Sequence, residues 1–195
     1  MALDLQQIRA LYLRYGDLSY SGEPVTQLEH ALQCAALAEA EGASDELICA
    51  ALLHDVGHLL NKSSVNPALP GTDDLHQYYG LPFLRSVFPD AVVEPIHLHV
   101  DAKRCLCAVD EGYFNKLTAG SVRSLKRQGG PLSEVEAAEF LRRPYAEDAL
   151  RVRRWDDRAK VAHLDTPDLE HFLTVVSRVM KAPGNAAGLG NQPSR

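Results

Sequence analysis

An irregular, all-α helical bundle is the fold class that this sequence predicts, and three observations predict it. Apolar residues recur at helical spacing through most of the 195-residue chain, whereas alternating strand patterns are scarce. Cap signals such as Ser44-Asp45-Glu46 and the capping box Ser133-Glu134-Val135-Glu136 mark helix starts. No strand and Gly-rich turn leads into a helix, which argues against dinucleotide-binding and P-loop folds, and no fixed-period repeat suggests a solenoid.

Taken in order, Leu3 to Tyr15 reads as a helix ending near Gly16. Pro24 suits the first turn of a second helix, in which Val25, Leu28, Ala31, Leu32, Ala35, Ala36 and Leu37 form an apolar face ending before Gly42. Ser44 caps a short, strongly apolar and therefore central helix leading to His54. Asn61 to Thr72, with Pro67, Pro70 and Gly71, reads as a loop. Helices are then predicted over about Asp73 to Val87, carrying His76, and about Ala91 to Val100, carrying His97 and His99. Gly129-Gly130-Pro131 breaks the chain before the capping box, and two further helices cover Ala146 to Ala162 and Pro167 to Met180. A single domain over 1–181 with a flexible tail over 182–195 is the expected organisation.

The formal net charge of -6 and isoelectric point near 5.7 supply no Lys/Arg excess for nucleic acid. Cys34, Cys49, Cys105 and Cys107 lack paired C-x-x-C spacing, and the first two fall on apolar faces, as small hydrophobes do. The N-terminus lacks a basic region followed by an apolar core, and no apolar run reaches the ~20 residues needed to cross a bilayer. A soluble, reduced, cytoplasmic protein with no membrane or nucleic-acid partner is expected, its oligomeric state left open.

The run Ala50-Ala51-Leu52-Leu53-His54-Asp55-Val56-Gly57-His58 carries the chemistry. It puts adjacent metal-binding side chains at the end of an apolar helix, where unpartnered polarity costs several kcal/mol by rough estimate. His30, His76, His99 and Asp156 lie on other predicted segments, and their convergence would give mixed nitrogen and oxygen ligation suited to iron, manganese, zinc, nickel or cobalt. Each histidine taken singly is an ordinary core or surface residue, and only the set argues for metal. Asp55 has two oxygens and can bridge two cations. His97, His163 and His171 are read as ordinary polar residues.

A histidine, a distant His-Asp doublet and a later aspartate on a helical scaffold resemble the HD-domain superfamily, here through His30, His54-Asp55 and Asp156. The chain from about Tyr20 to Lys160 shows a narrower resemblance. Tyr20-Ser21-Gly22-Glu23-Pro24, His54-Asp55-Val56-Gly57-His58, His99-Val100-Asp101-Ala102-Lys103-Arg104, Leu125-Lys126-Arg127-Gln128-Gly129-Gly130-Pro131 and Arg153-Arg154-Trp155-Asp156-Asp157 resemble the mixed-valent diiron oxygenases that cleave organophosphonates. The resemblance implies a helical bundle of HD-domain type and an Fe(II)/Fe(III) pair held by His30, His54, Asp55, His76, His99 and Asp156, with Asp55 bridging. Asp156 is chosen over its neighbour Asp157 because it directly follows Arg-Arg-Trp. O2 is the implied co-substrate. A small-molecule phosphonate is the implied partner, held by His58, Lys103, Ser121 and Arg153, with Ser124 and Gln128 as further candidates. Tyr20 and Glu23 resemble a catalytic segment that guards the metal and meets the substrate's amino end.

The implied reaction converts a 1-hydroxyphosphonate to phosphate and a carboxylic acid. Its substrate is 1-hydroxy-2-(trimethylammonio)ethylphosphonate, giving glycine betaine, or the 2-amino compound, giving glycine. The former is favoured slightly, with Tyr20, Tyr78, Tyr79, Tyr113 and Phe114 as the aromatic faces open to a quaternary cation. Two other classes stay open: an HD phosphohydrolase acting on a phosphate ester or nucleotide, and a metal-stabilised binding module without turnover.

Overall fold

The computed structural model describes residues 3–20, 22–63 and 75–181. These residues form helices and no strand, with one isolated antiparallel bridge between Ser19 and Thr26. The all-α expectation is met. The expected tail over 182–195 lies outside the described residues, as does most of the expected loop, of which 64–72 is not described.

The first three helices are α1 (Leu5–Tyr15), α2 (Gln27–Ala40) and α3 (Asp45–Leu53). Asp4, Thr26 and Ser44 cap them, each side chain accepting from the backbone N–H three residues on. Pro24 therefore lies outside α2. Thr26 and Glu29 close a reciprocal capping box there, a stronger start signal than proline provides. α3 is the centre of the molecule, with Leu47 through Leu53 all buried. It packs against α2 and against α7 (Asp90–Val109), α11 (Ala146–Arg158) and α12 (Leu169–Val179).

Between these lie α4 (Val56–Ser63), α5 (His76–Tyr79) and α6 (Leu81–Leu84). The single helix expected over 73–87 is thus two short pieces. Leu75, left-handed at φ 49°, precedes α5, and α6 starts directly after Gly80 with Pro82 in its first turn. α7, in contrast, continues nine residues beyond the expected end at Val100 and contains Pro95 within its body. α8 (Tyr113–Lys116) and α9 (Ala119–Arg127) were not legible from periodicity, since α9 buries only Ser121 and Leu125. α10 (Glu134–Leu141) starts at the predicted capping box. α11 ends at Arg158 rather than Ala162, so Lys160 lies just beyond it.

The buried apolar residues form two clusters. The larger joins α1 to α4, the start of α7, α11 and α12, and the smaller puts Leu98, Ala102 and Cys105 of α7 against Ala137, Phe140, Ala146 and Ala149. His99 and Lys103 lie one helical turn apart on α7, so they share a face between residues of both clusters. All four cysteines are free thiols. No helix among the described residues is long and apolar enough to cross a membrane.

Candidate metal centre and anion pocket

His30, His54, Asp55, His76, His99 and Asp156 come from α2, the α3–α4 junction, α5, α7 and α11, and all are buried. Asp55 lies at their centre. Its Oδ2 faces His54 Nε2 at 3.4 Å and His30 Nε2 at 3.8 Å. Its Oδ1 faces His76 Nε2 at 3.2 Å and His99 Nε2 at 3.6 Å. Asp156 joins the first group, with Oδ1 at 3.6 Å from His30 Nε2.

Backbone carbonyls fix which nitrogen of three of the rings is available. His30 Nδ1 donates to Ala159 O at 2.8 Å, His54 Nδ1 to Ala51 O at 2.9 Å and His99 Nδ1 to Ile96 O at 2.7 Å. A neutral imidazole with its proton on Nδ1 presents a lone pair at Nε2. The His30 and His54 Nε2 lone pairs nevertheless meet at 3.2 Å, and His76 Nε2 lies 3.1 Å from that of His99. Buried Asp55 Oδ2 has no hydrogen-bond partner. Lone pairs facing lone pairs and a carboxylate oxygen without a donor are repulsive unless a cation sits among them. The residues therefore fit metal, and their arrangement about the two oxygens of Asp55 fits one ion on each side.

Proton affinities agree with that chemistry. Burial lowers His30 to about 4, and burial together with His76 and His54 holds His99 well below the usual imidazole range. Both rings stay neutral and able to ligate at physiological pH. For His54 burial opposes the charged form, but Asp55's charge outweighs it and the net shift is upward. A metal bound there displaces a proton, which links loading to pH. Burial alone would raise Asp55, yet His54 and His58 hold it well below the carboxylate range.

Asp156 and Asp157 turn different ways. Asp156 reaches His30, Arg153 and Lys160, while Asp157 pairs with Arg153 and accepts from the Tyr113 hydroxyl. Of the two, only Asp156 touches a metal-facing histidine. His58 stacks on the His76 ring with centroids 4.0 Å apart, and its Nε2 is 3.8 Å from Asp55 Oδ1. At 24 % side-chain exposure it borders solvent, a place suited to meeting a substrate.

Beside the Asp156 carboxylate lies a cluster of cations and hydroxyls. Lys103 Nζ donates to Ser124 Oγ at 2.8 Å, Arg153 Nη2 reaches Ser121 Oγ at 3.5 Å, and Lys160 Nζ donates to the same Ser121 oxygen at 3.0 Å. Burial, then Arg153's charge, pushes Lys103 down to about 7. Gln128 lies just after α9, its Oε1 buried without a hydrogen-bond partner.

Tyr20 covers the centre: its ring stacks on His30 with centroids 3.8 Å apart, and its hydroxyl is 3.5 Å from Asp156 Oδ1. Glu23 Oε1 accepts from the Thr118 hydroxyl at 2.5 Å. Among the other aromatic faces proposed for a quaternary cation, Tyr78 and Phe114 are largely exposed and Tyr79 packs on the main core. Tyr113 commits its hydroxyl to Asp157. The structure brings only Tyr20 against the metal-facing residues.

Lys160, Thr118 and the Tyr113–Asp157 pair were missed in the sequence, as was Cys34, whose Sγ is 3.7 Å from His30 Nε2. Cys34 is one turn after His30 on α2, a spacing that could have revealed it. His97 pairs with Glu94 and His171 with Glu39, away from the centre.

The HD domain model matches residues 28–108, a span containing His30, His54, Asp55, His76 and His99. The chain is 40% identical to [1-hydroxy-2-(trimethylamino)ethyl]phosphonate dioxygenase (glycine-betaine-forming) of Leisingera caerulea over 173 residues, covering 89% of this chain and 88% of that protein. It is 46% identical to hydroxymethylphosphonate dioxygenase of Gimesia maris over 164 residues, 84% and 82% of the two chains. The chain belongs to the HD-domain phosphonate dioxygenases.

In these HD-domain phosphonate dioxygenases the remainder attached to the reacting carbon differs between relatives, a trimethylamino-bearing group in one name and nothing but hydrogen in the other. Both names share the hydroxyl and the phosphonate. An oxygenase of this family needs groups for those shared parts, and Ser121, Ser124, Lys103 and Arg153 are of the right chemical type for the phosphonate.

Proposed function

We propose that this chain catalyses O2-dependent cleavage of the carbon–phosphorus bond of a small 1-hydroxyphosphonate, giving phosphate and a carboxylic acid. The observation that carries the reading is the carboxylate of Asp55, flanked on each oxygen by imidazoles and joined through His30 and Asp156 to buried Arg153, which reaches Ser121. The names of the relatives support oxygenation over hydrolysis. The stoichiometry balances, since one hydroxyphosphonate and one O2 contain the atoms of one carboxylic acid and one phosphoric acid.

Two iron ions are the proposed cofactor: His30, His54 and Asp156 would hold one, His76 and His99 the other, and Asp55 would serve both. When bound, a mixed-valent Fe(II)/Fe(III) pair would activate O2, and the four electrons that reduce O2 come from the C–H and C–P bonds of the substrate. Lys103, Ser121, Ser124 and Arg153 bind the phosphonate, and Arg153, by also pairing with Asp156, fixes that anion relative to a metal ligand. His58, at the solvent border, meets the substrate beside Asp55. Tyr20 excludes water from the His30 side. Burial, with Asp156's charge, keeps its phenol protonated, so the hydroxyl donates toward Asp156 Oδ1. Glu23 orients the group attached to the reacting carbon.

A substrate with a cationic nitrogen would compete with Thr118 for Glu23, whereas hydroxymethylphosphonate would leave that hydrogen bond intact. The test is anaerobic incubation of reduced, iron-loaded protein with the trimethylammonio, 2-amino and hydroxymethyl compounds, followed by O2 and a phosphate assay. Phosphate from at least one, dependent on O2, is expected. None from any, with a mixed-valent centre present by electron paramagnetic resonance, would refute the reading. Turnover of phosphate esters with redox-inert metals would replace it by hydrolysis.

A further inference from the structure

We propose that Lys160 is a substrate-binding residue that makes the anion pocket select a doubly charged phosphonate over a singly charged anion of the same shape. The proposal rests on the functional reading above for the identity of the anion, and it adds a group that sequence motifs do not single out. Lys160 lies beyond the C-terminus of α11, its side chain only 7% exposed. Its Nζ donates to Ser121 Oγ at 3.0 Å, lies 3.4 Å from Asp156 Oδ1 and 3.9 Å from Asp157 Oδ1, and sits 6.0 Å from the centre of the Tyr20 ring. Ser121 also receives Arg153, so the ammonium and the guanidinium meet at one hydroxyl.

The charges at this meeting point decide what the pocket can hold. Arg153 contacts both Asp156 and Asp157, which neutralise it between them while leaving a net negative charge. Lys160 offsets that deficit, and Lys103 adds a further positive charge while it stays protonated. Burial and Arg153 push Lys103 down to about 7, so it is only partly charged near neutrality. Without Lys160, once Lys103 has lost its proton, Arg153 alone faces the two carboxylates and the site meets a dianion with a net negative charge. A buried ammonium also needs acceptors. Ser121 and Asp156 supply two of them, and a phosphonate oxygen that reaches the ammonium would supply a third.

The competing role is structural, with Lys160 merely steadying Asp156 as a metal ligand. Charge discrimination separates the two. Methylphosphonate and methanesulfonate have nearly the same shape, but at pH 8.5 the first carries two charges and the second one. Binding of each to metal-loaded protein is measured by calorimetry under nitrogen, with metal per chain measured on the same samples. The wild type is expected to favour methylphosphonate. Lys160→Met should lower that preference on the order of tenfold, the ratio that about 1.4 kcal/mol represents, with metal content unchanged. Lys160→Arg should restore most of it.

An unchanged preference in Lys160→Met would overturn the proposal. So would a loss of both anions in proportion to lost metal, which assigns Lys160 to Asp156 alone. If Lys160→Met does not fold, Lys160→Gln gives the same readout with a polar side chain. Because neither probe turns over, a wild type that discriminates the two anions yet releases no phosphate from hydroxyphosphonates would count against the proposed reaction and not against Lys160.

Discussion

The residues facing Asp55 Oδ2 and those facing Oδ1 are built by different means. His30 and Asp156 sit within helices of 14 and 13 residues, and His54 ends α3, whose side chains are buried from Leu47 onward. On the other side His99 has the same kind of support from α7, but His76 begins a four-residue helix after a left-handed Leu75. A helix that short cannot sustain itself, because the cost of its first turn is not recovered by propagation. Tertiary contact has to hold it, and Gly57 shows how: a Cβ there would lie 2.0 Å from the His76 carbonyl oxygen. The backbone of α4 touches α5 only because residue 57 has no side chain. One half of the site is thus built on helices that bury long faces, and the other leans on tertiary contacts of α5, chief among them the close backbone approach at Gly57 and the stack of His58 on His76.

The sharpest way to break this comparison is to remove what both halves share. Asp55→Ala should abolish turnover and reduce iron to a small fraction of the wild-type content, read by metal analysis of the purified protein. An Asp55→Ala chain that keeps its full iron content would exclude a bridging role. Next in size, His76→Ala should lose the ion on its own side while retaining the one held by His30, His54 and Asp156, so metal content falls to about half rather than to zero.

Gly57→Ala tests whether that fragility is a backbone effect. It removes no ligand, yet its methyl group must push α5 away, and metal affinity on the His76 side should fall on the order of 10–100-fold, as when groups that orient ligands are lost. Competition with a chelator measures it. Equal weakening of both ions, or of neither, would erase the distinction between the halves.

A smaller effect belongs to the anion pocket. Lys103, pushed down to about 7, carries its charge below that pH and loses it above. Methanesulfonate stays singly charged throughout, so its affinity should decline as pH rises through about 7, and Lys103→Met should flatten the profile. An unchanged slope in the variant would assign the dependence to another group. A control away from the site is His97→Ala, which removes a half-buried partner of Glu94 and Tyr78 and should leave metal content unaltered while costing on the order of 1 kcal/mol of stability.

Legibility in the sequence followed the same divide. α3 and the capping box at Ser133 are legible because burial and caps leave local patterns, whereas at α2 the nearby Pro24 masks the box at Thr26. That His30, His54, Asp55, His76, His99 and Asp156 come together is legible as a set because several motifs occur in one order, not because any spacing proves convergence. His76 was placed in a long helix that does not exist, since apolar spacing over 73–87 cannot reveal a left-handed Leu75. Lys160 and Thr118 were invisible for another reason. Each acts through a partner about forty or more residues away in sequence, Ser121 for Lys160 and Glu23 for Thr118, and no local pattern encodes such a pair. The aromatic candidates show the converse, since composition offered five rings and the fold brings only Tyr20 against His30.

Isotope tracing with 18O2 tests the central claim most directly. Iron-loaded protein is mixed with the hydroxyphosphonate that supports turnover, exposed to 18O2 in ordinary water, and the products are examined by mass spectrometry. Oxidative cleavage predicts label from O2 in the carboxylic acid or phosphate formed, with O2 consumed in step with phosphate release. Phosphate released at the same rate without O2, and with oxygen drawn only from water, would contradict it.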